Sequence, residues 1–242
     1  MIIEICVQSL EGALMAEHYG ADRIELCAGL ETGGLTPSMG LFAEVKRQIQ
    51  IPIHVLIRPR VGGFHYSPSE VTTITQEVKS AAEAGADGIV IGALNTDFTL
   101  DLDTIKGLVE QAMRINPKIH ITVHRAFDWV QNPIEAAKSL IDLGVHTLLT
   151  SGQAPTAKQG IELLKTLKTQ YGPQLTIMPG SGISAENKSL FVQAGFKAIH
   201  ASASELITEA SPSSQVTFEA PRQLSQRRQI SSERLKNLLG PS

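Results

Sequence analysis

The sequence His120-Ile-Thr-Val-His124-Arg125-Ala-Phe127-Asp128 begins as a β-strand and ends in a group of ionisable side chains. With the two-residue period of a strand, the odd-numbered residues from Ile119 to Val123 share one face and are all apolar. The even-numbered residues from His120 to His124 share the other face and are polar. This pattern is typical of a barrel strand whose outer face meets helices and whose inner face leads to a pocket.

Strands and helices alternate on both sides of this stretch. The phrase Gly20-Ala21-Asp22 recurs as Gly85-Ala86-Asp87, as expected where a helix ends and the next strand of a repeated βα unit begins. The predicted strands are Ile2–Val7, Asp22–Leu26, Ile53–Arg58, Gly88–Gly92, Ile119–His124, His146–Thr150, Leu175–Met178 and Lys197–Ala201. Seven clear helices separate these eight strands within 242 residues, and no G-x-G-x-x-G follows the first strand. The pattern therefore predicts an α/β fold, a single-domain (β/α)8 TIM barrel, rather than a doubly wound sheet.

The predicted helices are Leu10–Tyr19, Ser38–Ile49, Ser69–Ala84, Asp101–Ile115, Asn132–Leu143, Thr156–Gln170 and Ser184–Ala194. We expect residues 1–208 to form the barrel and residues 209–242 to form an irregular tail. From Glu209 to about Arg228 the composition turns to Ser, Gln, Pro and Arg, which predicts a loosely draped segment. The leucines of Ser231–Leu239 have helical spacing and predict a short closing helix.

The composition argues against some classes of partner and compartment. Hydrophobic residues make up 42% and charged residues 19% of the chain, and the formal net charge is −3, so no nucleic-acid or membrane surface is expected. No apolar run approaches the roughly 18 residues of a membrane span, and the N-terminus lacks the basic region of a signal peptide. We therefore expect a cytoplasmic protein whose two cysteines are reduced thiols.

The predicted inner face of the barrel carries ionisable side chains where Val, Ile and Leu are usual. Its candidates are Glu4, Cys6, Glu25, Cys27, His54, Arg58, His120, His124, His200 and Ser202. Buried charges need partners, and the expected pairing is Glu4 or Glu25 with Arg58. His54, His120 and His200 are interpreted as satisfied interior histidines rather than ligands.

A candidate catalytic group lies where the strands end, which is the end that carries active sites in this fold. His124 is the candidate general acid or base, because only the unperturbed pKa of histidine lies near neutrality, and Asp128 or Glu25 would orient it or share the proton transfer. The candidate anion-binding residues are Arg58, Arg60, Arg125, Ser151, Gly152, Gly180, Gly182 and Ser202. Two alternatives stay open: the arginines clamp loop carbonyls or Asp128, and the glycine-rich loop serves only chain geometry.

Cys6 and Cys27 are candidate metal ligands. They end neighbouring strands, and adjacent strands lie ~4.8 Å apart, so the two sulfurs could approach one another. Soft thiolate ligands favour Cu(I) or Zn(II). The alternative is that both cysteines are small apolar core residues.

The combination of these motifs resembles the CutC family, which is named for copper homeostasis. The matching stretches are E-I-C at 4–6, G-A-D-R-I-E-L-C at 20–27, G-G-L-T-P-S at 33–38, I-R-P-R at 57–60, H-R-A-F-D at 124–128 and L-T-S-G-Q at 149–153. The resemblance implies a cytoplasmic TIM barrel, a homodimer or higher homo-oligomer, and Cu(I) binding through Cys6 and Cys27. Val7 stands where some members have a further cysteine, and Gly63 stands where an aspartate is common.

The sequence thus leaves three functions open. The first is a copper-binding protein whose ligands are Cys6 and Cys27, with His124 as a candidate third ligand. The second is an enzyme acting on a small anionic or phosphorylated substrate, with His124 as the acid or base. The third is a barrel kept as a binding or scaffold module without chemistry. Close, reachable thiols favour the first, and an ordered anion at the loops after strands seven and eight favours the second.

Overall fold

The computed structural model describes residues 1–208 and 226–240. Its main sheet has eight parallel strands: β1 Ile2–Val7, β2 Arg23–Leu26, β3 Ile53–Leu56, β4 Gly88–Ile91, β5 His120–Val123, β6 Thr147–Thr150, β7 Thr176–Pro179 and β8 Ala198–Ala201. The hydrogen-bonded order is β7-β6-β5-β4-β3-β2-β1-β8, and β7 and β8 lie in contact, so the sheet curves into a nearly closed barrel. The predicted (β/α)8 TIM barrel is confirmed.

Seven helices connect these strands: α1 Leu10–His18, α2 Met39–Gln48, α3 Pro68–Glu83, α4 Leu102–Ile115, α5 Pro133–Asp142, α6 Ile161–Tyr171 and α7 Ala185–Gln193. Six agree with the prediction to within a residue or two. Helix α6 begins five residues later than the predicted Thr156. The preceding loop folds back on itself, and a Cβ added to Gly152, whose φ is +71°, would lie 2.3 Å from the carbonyl oxygen of Gly160. Residues 156–160, which the sequence spacing assigned to the helix, therefore belong to this loop.

The C-terminal part of the chain is more regular than its composition predicts. Ser204–Thr208 forms β9 and Gln226–Ile230 forms β10, an antiparallel pair in which Ile230 lies opposite Ser204. The predicted loose segment was therefore wrong at its end, because backbone pairing orders residues 226–228 without an apolar sequence pattern. Residues 209–225, which make up the rest of that segment, lie outside the described residues. The predicted closing helix is present as α8, Ser232–Leu239, and buries Leu235 and Leu238.

The apolar core lies between the barrel and its helices. Alternate residues of the strands, such as Ile5, Ile24, Ile89 and Ile121, point outward and have no exposed surface. Within residues 1–208 and 226–240, no helix combines the length and hydrophobicity that crossing a membrane requires. Because the apolar residues of the strands point outward, the polar residues between them point into the barrel.

A buried ion pair lies inside the barrel, but its cation is not the expected one. Arg23 donates from Nε to Oε2 of Glu4 over 2.6 Å, because β1 and β2 are in a register that sets the two residues side by side. Glu4 has no exposed surface. Although burial alone raises the pKa of Glu4, the hydrogen bond to His200 and the charge of Arg23 hold that pKa well below its usual value. The predicted pairing with Arg58 was wrong, since Arg58 lies beyond the end of β3.

Three imidazoles form a stacked column towards the amino end of the strands. The ring centroids of His54 and His120 are 4.9 Å apart, and those of His120 and His146 are 4.8 Å apart. Burial lowers the pKa of His54 to about 4, and burial together with the neighbouring charge of His54 lowers the pKa of His120 to about 3. The rings of His54 and His120 are therefore neutral at pH 7 and serve as interior packing elements, as the sequence predicted.

The ion pair generates a prediction about stability. Glu4→Gln keeps the side-chain shape but leaves the guanidinium of Arg23 buried without its counter-charge. We expect the free energy of unfolding to fall by about 3–5 kcal/mol, measured by urea denaturation. The double variant Glu4→Met, Arg23→Met should recover most of that loss, because it removes both charges. A single variant as stable as the wild type would show that the pair contributes little.

The histidine column generates a second prediction. Because the folded-state pKa of His120 lies below the ordinary value of 6.5, its contribution to stability is complete above pH 6.5 and is lost as the pH falls below that value. Each such histidine should cost about 2 kcal/mol between pH 7 and pH 5. Urea denaturation across this range should show His120→Gln with a flatter pH dependence by about that amount. An unchanged slope would contradict the lowered pKa.

Candidate functional site

A cavity of about 760 Å³ opens at the carboxyl ends of the barrel strands. We call it the mouth cavity. Its walls are formed by the barrel strands, by the loops after them, by the β9–β10 pair and by α8. Several lining residues are candidates for binding or catalysis, or are used in the argument below. They are Cys6, Glu25, Arg58, Phe64, His124, Arg125, Gly182, His200, Ser202, Arg228 and Arg234. The site therefore lies at the end of the barrel where the fold predicts it.

The two cysteines meet at and just beneath the floor of the mouth cavity, which Cys6 lines and the fully buried Cys27 does not. Cys6 lies opposite Glu25 in the pairing of β1 with β2, and Cys27 follows directly after β2. The sulfurs of Cys6 and Cys27 are 3.5 Å apart, and the Cys6 sulfur is 3.4 Å from Oε1 of Glu25. The expected approach of the two thiols is thus present. The hydrogen bond with Cys27, burial and the charge of Glu25 all raise the pKa of Cys6, so the Cys6 thiol holds its proton in the free protein.

Glu25 and His200 complete this floor. Oε2 of Glu25 is buried and has no hydrogen-bond partner among the described residues. Burial raises the pKa of Glu25. Nδ1 of His200 lies 2.8 Å from Oε1 of Glu4, which leaves Nε2 as the nitrogen available to a ligand. Ligand atoms of Cys6, Glu25 and His200 all lie within 4.8 Å of one another.

His200 belongs to this cluster, although the sequence interpretation did not consider it as a ligand. Burial lowers the pKa of His200, but the charges of Glu25 and Glu4 outweigh that effect and raise it. The signal was present, because His200 has inward parity on β8 and lies opposite Glu4 on β1. Arg23 was missed for a similar reason, since it shares the inward parity of Glu25 but stands at the first position of its strand.

His124 is held as a neutral hydrogen-bond donor. Its Nδ1 accepts the backbone N–H of Ala126 over 3.1 Å, so in the neutral ring the proton is on Nε2. Burial and the charge of Arg58 lower the pKa of His124 to about 3. Gly92 fixes the ring from one side, because a Cβ there would lie 2.5 Å from Cε1 of His124. The expectation of an acid or base with a pKa near neutrality does not fit this environment.

Asp128 fixes the loop after β6 instead of orienting His124. Its carboxylate accepts from the Ser151 backbone N–H at 3.0 Å, from the Ser151 hydroxyl at 2.9 Å and from Nε of Arg125 at 2.8 Å. Among the described residues it makes no hydrogen bond to His124. Ser151 is buried by these contacts and Gly152 by its close approach to the next turn, so neither candidate anion-binding residue lines the mouth cavity.

The arginines divide into two groups. Arg60 pairs with Glu70 and donates to the carbonyl oxygens of Gly63 and His65, which keeps it out of the mouth cavity. It is a clamp of its own loop, which is the alternative that the sequence left open. Arg125 lines the cavity while paired with Asp128. Arg58 also lines the cavity. Its terminal nitrogens donate to the carbonyl oxygens of Thr32, Gly34 and Gly62.

The remaining wall combines the loops after β7 and β8 with the C-terminal segment. Gly182 and Ser202 line the mouth cavity, as the sequence predicted. Gly180 lies behind this wall, where a Cβ would come within 2.5 Å of Leu149. Arg228 and Arg234 reach the cavity from β10 and α8. No sequence pattern predicts the positions of these two arginines, because only the long-range return of the chain brings them to the cavity.

Comparisons with known proteins agree with the resemblance drawn from the motifs. A family model described as the CutC family matches residues 1–205. A family protein named CutC from Enterobacter sp. (strain 638) is 42% identical over 202 residues, which cover 84% of this chain and 80% of that protein. Another from Salmonella typhimurium (strain LT2) is 42% identical over 206 residues, which cover 85% of this chain and 81% of that protein.

Solved structures agree on the fold. A crystal structure of a CutC protein from Streptococcus agalactiae, whose name refers to copper homeostasis, has a TM-score of 0.77 and 28% identity, covering 84% of this chain and 98% of that chain. The structure of QR15, an aldolase, has a TM-score of 0.62 at 17% identity and covers 84% of this chain and 90% of that chain. The second likeness shows a shared barrel fold and nothing about chemistry.

Proposed function

We propose that this chain, which belongs to the CutC family, serves copper homeostasis by binding Cu(I) through the thiolates of Cys6 and Cys27. The observation that carries the proposal is the 3.5 Å separation of the two sulfurs, one of which, that of Cys6, belongs to a residue lining an open cavity. At that separation a single ion can contact both sulfurs. Thiolates are soft ligands, and soft ligands select Cu(I) over the hard cations.

The charge of the floor supports a cation there. Cys6 lies beside Glu25, whose Oε2 is buried without a partner among the described residues. An unpaired buried carboxylate oxygen is costly, and the raised pKa of Cys6 and of Glu25 shows that the free protein avoids accumulating negative charge. A cation bound among these donors would compensate the charge and release their protons. The residues present therefore fit a soft metal ion.

His200 is suited to be a further ligand. Histidines that bind metals commonly donate the other ring N–H to a carboxylate, which fixes the ring orientation. Here Glu4 accepts from Nδ1 of His200, and Arg23 in turn holds Glu4. In this arrangement Nε2 would face the ion, and His124, the third ligand considered from the sequence, would not be one.

Access to the sulfurs runs through the mouth cavity. Cys27 is fully buried, whereas Cys6 is 4% exposed and forms part of the cavity floor. An ion would reach Cys6 first and Cys27 behind it. The expected cytoplasmic location and homo-oligomeric state remain predictions alongside this proposal.

An anaerobic competition titration against a chromogenic Cu(I) chelator tests the proposal. We expect the reduced wild type to bind one Cu(I), and Cys6→Ser or Cys27→Ser to abolish that binding. His200→Gln should weaken the affinity by about 10- to 100-fold, as is usual when a ligand or its orienting partner is lost. His124→Asn is the control, because the His124 ring contacts Ala126 and Phe64 instead of the cysteines, and it should bind Cu(I) like the wild type.

The opposite pattern would remove the proposal. If Cys6→Ser and Cys27→Ser bind Cu(I) as the wild type does, the cysteines are core residues. If His124→Asn is the variant that loses the ion, the site has been assigned to the wrong wall. Circular dichroism of each variant checks that the loss of binding does not come from unfolding.

A further inference from the structure

We propose that the mouth cavity also binds a small carboxylate ligand, held by the Nε–H of Arg58 and the Nε2–H of His124. This subsite lies on the cavity wall and is assigned from groups that the copper site does not use. It stands or falls independently of Cu(I) binding.

Arg58 carries an uncompensated positive charge. It is 7% exposed, and its two terminal nitrogens donate to three backbone carbonyl oxygens, over 2.7 to 3.1 Å. Within residues 1–208 and 226–240 no carboxylate pairs with it. Its Nε is buried and lacks a partner there as well. A buried guanidinium that is bound only by neutral acceptors and retains a free N–H is a ready partner for an anion.

His124 supplies a second donor of the same kind. Its Nδ1 is occupied by the N–H of Ala126, so Nε2 carries the proton, and Nε2 is also buried without a partner among the described residues. Buried polar groups in folded proteins are nearly always hydrogen-bonded. Two buried N–H donors without acceptors in one wall therefore suggest a ligand that accepts from both. An anion is such a ligand.

The two donors share a neighbour, the ring of Phe64. The Arg58 guanidinium carbon lies 5.2 Å from the centroid of that ring, and the His124 ring centroid lies 5.0 Å from it. All three side chains line the mouth cavity. Because neither donor nitrogen has surface of its own, we infer that Phe64 turns aside when the ligand enters. Its ring then borders the ligand and shields the new hydrogen bonds from water.

A carboxylate matches this wall better than a phosphate does. The pair of Arg58 and His124 offers one full charge and two free N–H donors, which suit one carboxylate group with its single charge and two oxygens. A phosphoryl group has three oxygens and up to two charges. At this pair of donors, one of its oxygens would receive no hydrogen bond and one of its charges would have no partner. The cavity volume of about 760 Å³ falls within the usual range for small-molecule sites. The ligand class is therefore a small organic acid.

The role of His124 follows from its tautomer. A neutral imidazole that donates from Nε2 can polarise an oxygen of a bound ligand without exchanging a proton. This role differs from the acid or base role that the sequence suggested. It makes His124 a ligand-binding residue whose loss should weaken binding at every pH at which the ring is neutral.

Isothermal titration of the metal-free, reduced protein with malonate tests the subsite, which would hold one of the two carboxylates of malonate while the other faces the open cavity. We expect saturable binding that is weakened at least about tenfold in His124→Asn, since one hydrogen bond to a charged group is lost. In this variant Oδ1 can still accept from Ala126. Arg47→Lys is the control, because Arg47 is an exposed arginine paired with Glu44 outside the mouth cavity, and it should bind malonate like the wild type. Malonamide, the uncharged analogue, should not bind.

An NMR measurement keeps the test independent of variant folding. In wild-type protein with 15N-labelled histidine, the Nε2–H resonance of His124 should be present at pH 7 and should move on addition of malonate. No movement, or equal binding of malonamide, overturns the proposal. Stronger binding of inorganic phosphate than of malonate overturns the carboxylate assignment.

The Cys6→Ser, Cys27→Ser double variant separates the two sites. It should retain malonate binding, because neither sulfur contacts Arg58 or His124. Loss of Cu(I) binding with retention of malonate binding is the pattern expected if both proposals hold. If malonate binding disappears together with Cu(I) binding, the anion is held by the floor and not by this wall, which overturns the subsite and leaves the copper proposal intact.

Discussion

The carboxylate of Glu4 is the group on which the barrel interior depends. A fully buried anion is tolerated only where charges and hydrogen bonds surround it. Glu4 receives Arg23 on one oxygen and His200 on the other, and these partners stand on the two strands that flank β1. One side chain thus joins three adjacent strands, including the β1–β8 contact near the point where the barrel closes. The same contacts fix the ring orientation of His200.

This arrangement separates two kinds of chemistry along the barrel axis. Towards the amino end of the strands, the histidine column is neutral and tightly stacked, and its rings have no role for a ligand. Towards the carboxyl end, Cys6, Cys27 and Glu25 lack full compensation. Glu4 lies between the two zones, and Arg23 satisfies it. Among the described residues, Cys6 and Glu25 therefore have no salt-bridge partner, because Arg23 is already paired with Glu4.

Strand parity was sufficient to place most of the interior, and its failures have clear physical causes. It identified Glu4, Cys6 and Glu25 because regular strands alternate strictly. It misassigned Arg58 because that residue follows the strand end, where the loop carbonyls can compete for a guanidinium. It gave no information on Arg228 and Arg234, whose positions depend on the antiparallel pairing of β9 with β10. Contacts that depend on loop conformation or on chain return leave no periodic signal in a sequence.

The mouth cavity therefore offers a site for a cation at its floor and a site for an anion on its wall. Its floor presents donors that become anionic when a cation arrives, and its wall presents a guanidinium bound only by neutral carbonyl oxygens. In a low-dielectric cavity, opposite charges placed near each other attract more strongly than they do in water. A bound cation and a bound carboxylate would consequently stabilise one another. By the reciprocity of linked equilibria, each ligand would then raise the affinity for the other by the same factor, which gives one cavity a physical reason to contain both sites.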